Sequence, residues 1–237
     1  MSSTKKSGAR KSTEERRDPI MKWATRVVIL ALFLAFCGWL DIIKDRWYVF
    51  EPSKLHALAQ DAIAAHPDDT GAMVHHIVSN LTAEYPSSQI RINPNEREWV
   101  FNNAGGAMGG MYIIHASITE YLIIFGTPLG TEGHSGIHTA DDYFHILSGE
   151  QWAYTLGSFE KEVYTAGSVH LMPRGVRKQY KMHKGCFALE YARGWIPLML
   201  PFGFADAISS TMDYISAYDT VRATGREIIK NLLIGKI

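Results

Sequence analysis

Glu190 is the one carboxylate in the run GCFALEYARGWIP, residues 185 to 197. Cys186, Ala188, Glu190 and Ala192 alternate with Phe187, Leu189 and Tyr191, the period of a β-strand, and Gly185 and Gly194 bound the run. Glu190 therefore shares its face with three small residues. A carboxyl in an apolar space keeps its proton to higher pH, because desolvation penalises the anion. It can then donate near neutrality, and the anion left behind pairs strongly with a nearby cation. The competing reading is an ion pair with Arg193, three residues on. Glu120, at odd spacing from Tyr121 in ASITEY, is expected to face the other way and to accept structural hydrogen bonds. His134, His138 and His145 share one stretch, but their spacings lack a short His-x-His pair, so no metal and no cofactor is expected. NAGGAMGG is glycine-rich yet leads into apolar strand text rather than a phosphate-binding helix.

A strand holds a side chain in place only within a sheet, and 237 residues with 46% hydrophobic content suffice for one domain with a real core. The formal net charge of zero gives no field to attract nucleic acid, and none is expected as a partner. Cys37 and Cys186, the only cysteines, make no disulfide framework. Residues 1–20 read as a disordered basic tail, and residues 21–45 as a transmembrane anchor around VVILALFLAFCGWL. Arg26 and Lys44 can snorkel, and Trp23, Trp39 and Trp47 suit the membrane interface. Bulky Trp39-Leu40-Asp41 after the run is no signal-peptide cleavage site. The basic residues before the anchor place the N-terminus in the cytosol and the rest across the membrane. The sequon Asn80-Leu81-Thr82 is consistent with that.

Residues 46–98 read as a helical lead-in. Its first helix is capped by Ser53; its second carries the stripe Met73, Val74, Ile77, Val78 and Leu81 and stops at Pro86. Between Trp99 and Arg193, Gly-rich turns separate short alternating runs, which predicts a closed or sandwiched β unit. Residues 194–237 revert to helix, broken by Pro197, Pro201 and Gly203, and are expected to pack on the β unit, lie in the membrane interface, or both.

The segment WVFNNAGGAMGGMYIIHASITEYLIIFGTPLGTEGHSGIHTADDYFHILSGEQ, followed by LEYARGWIP, resembles the family of fungal sterol Δ8–Δ7 isomerases and the animal sigma receptor, and GIHTADDYF resembles the isomerase branch. The resemblance implies a mainly β fold with flanking helices: one N-terminal transmembrane helix, a cupin-like β-barrel and two C-terminal membrane-apposed helices. It further implies a homotrimer in the endoplasmic reticulum membrane, with contacts to membrane lipid. The implied activity moves the B-ring double bond of a Δ8 sterol such as fecosterol to Δ7, on the route to ergosterol. Cationic amines are the implied inhibitors. A non-catalytic, receptor-like sterol or amine binder, or a chaperone, using the same pocket is the alternative.

By the same resemblance, Glu190 matches the glutamate that holds a ligand amine, and Tyr121 the tyrosine that hydrogen-bonds to it. Trp99 and Phe125 match pocket aromatics, His170 matches a pocket histidine, and Tyr191 in the same motif joins the expected substrate-binding set. The receptor's second acid falls on Phe144, which leaves Asp141 and Asp142 as candidate catalytic partners. Alternation puts these two on opposite strand faces, so only one should point inward; their other reading is a solvated turn or helix cap. Shifting an isolated double bond needs a proton delivered to one carbon and another removed nearby, with a carbocation between, which suits a buried acid.

Overall fold

Glycine-bounded runs of β-branched and aromatic residues form ten strands between Trp99 and Gly194 in the computed structural model, which describes residues 7–237, with side chains from residue 21. Two compact units divide the chain, one ending at Arg46 and one running from Trp47 to Ile237. In the first, helix α1 spans Ser7–Ile43. The stretch Met21–Trp47, which contains an 18-residue window of mean hydropathy 2.2, is long and apolar enough to cross a membrane. Of the expected tail, residues 1–6 lie outside the described residues, and from Ser7 onward the backbone is helical instead of disordered. Ala, Arg, Lys and Glu there are good helix formers, and the apolar run supplies a nucleus from which a helix propagates.

The second unit begins with α2 (Pro52–Ala65) and α3 (Thr70–Glu84). Glu51, not Ser53, is the N-cap of α2, because Pro52 takes the first helical position that its fixed φ favours. Asp69 caps α3 by accepting from the Ala72 amide at 2.9 Å. Asn80 of the sequon is exposed, but it sits mid-helix with its amide bonded to the His76 carbonyl, beside buried Leu81.

In chain order the strands are β1 (Trp99–Ala104), β2 (Ala107–Ala116), β3 (Glu120–Thr127), β4 (Thr131–His134), β5 (Ala140–Ser148), β6 (Glu150–Tyr154), β7 (Glu162–Thr165), β8 (Val169–Met172), β9 (Gln179–Met182) and β10 (Cys186–Gly194). A six-stranded sheet runs β1-β2-β3-β10-β5-β8 and a four-stranded sheet β4-β9-β6-β7, antiparallel throughout. β10 lies inside the larger sheet and is covered on both faces, which explains its nearly unbroken apolar text. Leu189 and Tyr191 pack with Leu122 and Ile124 of β3 against Leu55 of α2 and Met73 and Ile77 of α3. Cys186 and Ala188 face the other way, with Ile123, Phe125, Ile146 and Met182 of the second sheet. Each large side chain so buried contributes on the order of 1.5–3 kcal/mol, which makes the helix layer a firm backing for β10.

Two helices follow, α4 (Leu200–Ser209) and α5 (Tyr214–Leu232). α5 is inverted relative to an ordinary surface helix. Thr224, Glu227 and Asn231 are buried, whereas Tyr214, Ile215, Tyr218, Val221, Ile229 and Leu232 are exposed. The Asn231 amide donates to the Ala116 carbonyl at 3.0 Å, tying the helix to β2 through polar bonds.

Candidate active site

Between the sheets, and closed over by α4, lies a cavity with about 1030 Å³ of empty space, its mouth included. Phe125, Met111, Phe144 and Ile123 supply its apolar wall, and Leu200, Phe202 and Phe204 its helical side. Glu190 reaches into it from β10. On β5 Phe144 stands opposite Glu190 and Asp142 opposite Ala192, so Asp142 and Glu190 share the inward face as diagonal neighbours. Their carboxyls are hydrogen-bonded to each other. Two carboxyls can share such a bond only when one is protonated, since ionised oxygens only accept.

Burial raises both carboxyls. Burial, then the charge and bond of Asp142, hold Glu190 well above the usual carboxylate range. Burial pushes Asp142 up to about 7, and its bonds to Glu190 and the Tyr143 backbone restrain the rise. Glu190 keeps some accessible surface, but that surface faces the cavity, so its carboxyl is enclosed rather than solvated. Near neutral pH the pair therefore keeps at least one proton, shared between the two carboxyls.

Of the two candidate partner acids, the fold selects Asp142. Asp141 is turned outward by strand alternation: its carboxylate accepts from the Arg174 amide at 2.9 Å and lies 4.0 Å from Arg193 Nε. Arg193 also donates to the Tyr143 hydroxyl at 2.8 Å and lies by Asp141, so the competing reading of an ion pair between Arg193 and Glu190 does not hold. Glu120 is fully buried on the opposite face. It accepts from the Val49 and Phe50 amides and the Tyr191 hydroxyl and pairs with Lys236 at 2.9 Å, as a structural acceptor should.

Phe125 and His170 line the cavity as expected. Tyr121 lines it too, but its hydroxyl pairs with Thr224 Oγ1 at 3.1 Å and Met111 Sδ at 3.7 Å instead of Glu190. It stands opposite Ala192, two residues along β3 from the partner of Glu190, where α5 offers the nearer hydroxyl. Trp99 is placed outside the cavity. Its ring packs on Tyr112 and Phe187, on the helix-facing side of the sheet, and its indole N–H donates to the Glu96 carbonyl. Tyr191 is likewise corrected: one residue from Glu190, it must face the helices, where its hydroxyl donates to Glu120 at 2.6 Å.

Sequence reasoning missed Tyr180, Gln151 and Lys178, which reach the cavity from the second sheet and its edge. Burial, then the charges of Glu190 and Asp142, raise the Tyr180 phenol, which stays neutral beside the acids. Their strands are only four or five residues long, too short for alternation to mark an inward face. Among the described residues, no three His, Cys, Asp or Glu side chains come together as a group able to hold a metal.

Residues 27–236 match the family model described as "ERG2 and Sigma1 receptor like protein". The chain belongs to that family. It is 58% identical to the C-8 sterol isomerase erg2 of Aspergillus fumigatus, covering 90% of this chain and 88% of that one. It is 63% identical to the C-8 sterol isomerase of Pyricularia oryzae, over 81% of this chain and 86% of that one. Sigma non-opioid intracellular receptor 1 of Xenopus tropicalis is 35% identical, with coverage of 81% and 83%. Among solved structures, KdgF from Halomonas sp. is similar at 12% identity and a TM-score of 0.36, covering 44% of this chain and 93% of that one, a likeness too slight to argue from.

Proposed function

We propose that this family member is a C-8 sterol isomerase that shifts the B-ring double bond of a Δ8 sterol to Δ7. The hydrogen-bonded Glu190–Asp142 pair in an apolar cavity carries the reading, and the fungal relatives named C-8 sterol isomerase support it. The Glu190 carboxyl adds its proton to C9, the π electrons of the C8–C9 bond forming the new C–H bond and leaving a tertiary cation at C8. That cation sits against a carboxylate pair in a low-dielectric site and against the faces of Phe125, Phe144 and Tyr180. Loss of a proton from C7 to Asp142 returns its bonding electrons as the C7–C8 double bond. Transfer of that proton through the shared hydrogen bond restores Glu190. No residue has to supply a metal or redox group.

The same cavity would hold a cationic amine as a mimic of the cation, which makes amines the expected inhibitors. The exposed apolar stripe of α5 and the apolar residues of α4 suit a bilayer surface, through which a sterol would reach the cavity. The anchor Met21–Trp47 and the basic N-terminal flank support a single-pass protein with a cytosolic N-terminus and a lumenal β unit, and the family resemblance supports its location in the endoplasmic reticulum and assembly as a homotrimer. Expression of the full chain in cells lacking C-8 sterol isomerase tests the activity. Accumulation of Δ7 sterols is the expected result, and sterols that remain Δ8 would return the protein to a receptor-like binding role.

A further inference from the structure

The cavity has a second polar group, distinct from the carboxyl pair: Gln151 of β6, His170 of β8 and Lys178, which immediately precedes β9. Its proton arrangement follows from Lys178. An ammonium only donates, so Lys178 Nζ, 3.3 Å from His170 Nε2, gives that nitrogen a proton to accept. His170 Nδ1 must then carry the ring proton and donate to Gln151 Oε1 at 2.8 Å. This orients the Gln151 amide and leaves its Nε2 group without a hydrogen-bond partner among the described residues, on a side chain of a residue only 1% exposed. Lys178 spends a second N–H on Glu162 at 2.5 Å, and Glu162 also accepts from the Tyr164 hydroxyl at 2.6 Å. One ammonium N–H therefore remains.

This group is neutral in sum. Glu162 balances Lys178, and burial with the Lys178 charge pushes His170 down to about 4, so its ring is uncharged. Both free donors border the cavity, and leaving them unpaired once a ligand displaces water is costly, so the site suits an acceptor. An anionic group would stand beside Glu162 with no cation of its own, and an amine would meet donors. A hydroxyl oxygen, which accepts two bonds and carries no charge, fits both conditions.

The sheet register places this group relative to the acids. Glu190, Phe144 and His170 lie in one row across β10, β5 and β8, so His170 stands two strands from Glu190, about 10 Å at the backbone. The Phe144 ring lies between and stacks on His170 at 5.8 Å. Tyr164 stacks on His170 at 4.2 Å, closing that end. A flat sterol with its B ring against Glu190 and Asp142 would rest its A ring on Phe144 and carry its ring-A hydroxyl to the second polar group. Its alkyl chain would then run toward Leu200, Phe202 and Phe204.

We propose that Gln151, His170 and Lys178 form a hydroxyl-recognition subsite that takes the ring-A 3-hydroxyl of a free sterol, fixes the B ring at Glu190 and excludes sterol esters. The assignment rests on the sterol reading of the cavity. Its test is equilibrium binding of three ligands to the full-length protein in detergent: a Δ8 sterol, its 3-deoxy analogue and its 3-acetate. Turnover is measured separately. In the wild type, loss of the hydroxyl should weaken binding about 10- to 100-fold, the range for a hydrogen bond to a charged group, and the acetate should bind no better than the deoxy compound. In Lys178→Met the preference for the hydroxyl should shrink to within about 3-fold. Equal affinity of the wild type for sterol and deoxy analogue, tight binding of the acetate, or an undiminished preference in Lys178→Met would each overturn the subsite. The ligand series on the wild type decides the matter even if Lys178→Met fails to fold. A hydroxyl preference without turnover would sink the isomerase reading and spare the subsite, and turnover without preference would do the reverse.

Discussion

Replacing Asp142 by Asn should make the protein more stable at alkaline pH and yet nearly inactive. Asn keeps the shape of the side chain and can still hydrogen-bond to Glu190, but it cannot ionise. Asp142 is 1% exposed, and burial lifts it to about 7 in the folded chain from an ordinary value of 3.8. Well below pH 4 the group is protonated whether the chain is folded or not, and the folded state bears no penalty. As pH rises through about 7 the unfolded chain has already ionised, and the folded chain must ionise a buried group. The stability present in acid is thereby lost, on the order of 4 kcal/mol in full. For a folded unit of this size that corresponds to roughly 10 °C in Tm. The assay is thermal unfolding of wild type and Asp142→Asn between pH 4 and 8, with turnover of a Δ8 sterol on the same samples. The wild type should lose Tm as pH rises, the variant should lose less because only buried Glu190 still resists ionisation, and variant turnover should fall at least about 10²-fold for want of the second carboxylate. Parallel Tm curves, or near-normal turnover, would refute the assignment of Asp142 to a shared-proton pair.

Other substitutions separate the site from its supports. Glu120→Gln leaves Lys236 buried without its carboxylate and should cost about 3–5 kcal/mol in denaturant unfolding while the folded fraction keeps its kcat; an unchanged midpoint would contradict the structural role. Trp99→Ala, outside the cavity, should leave sterol turnover within about 3-fold of wild type, and a hundredfold loss would return Trp99 to the pocket. A chain lacking residues 1 to 48 should still float with liposomes through the exposed stripe of α5, whereas a freely soluble, monodisperse fragment would count against that role.

Much of this was legible in the chain. The alternation in GCFALEYA placed Glu190 among Cys186 and Ala188, because a period of two is imposed by strand geometry whatever the fold. The same rule decided between Asp141 and Asp142 once β5 was paired with β10. It also argues against Tyr191, adjacent to Glu190, as a cavity residue, although the motif match had suggested it. The placing of Trp99 and the expected bond of Tyr121 to Glu190 departed for another reason: family motifs align residues, but the partner of a hydroxyl or ring is chosen by neighbouring elements, here Thr224 on α5 and Phe187 on β10. The Gln151–His170–Lys178 group was beyond reach, since its members come from β6, β8 and the edge of β9 and meet only through tertiary pairing. The inverted amphipathicity of α5 was half visible: the apolar stripe can be read from the sequence, but that it faces outward depends on Thr224 and Asn231 finding partners on the β unit.

The central claim is that Glu190 delivers the proton, and turnover of a Δ8 sterol by the full-length Glu190→Gln variant, with its melting curve recorded alongside, tests it most directly. The amide fills the same space and can still bond to Asp142, so the variant should melt as a folded protein while turnover falls at least about 10²-fold. A folded variant that converts the sterol at near the wild-type rate would remove Glu190 from the mechanism.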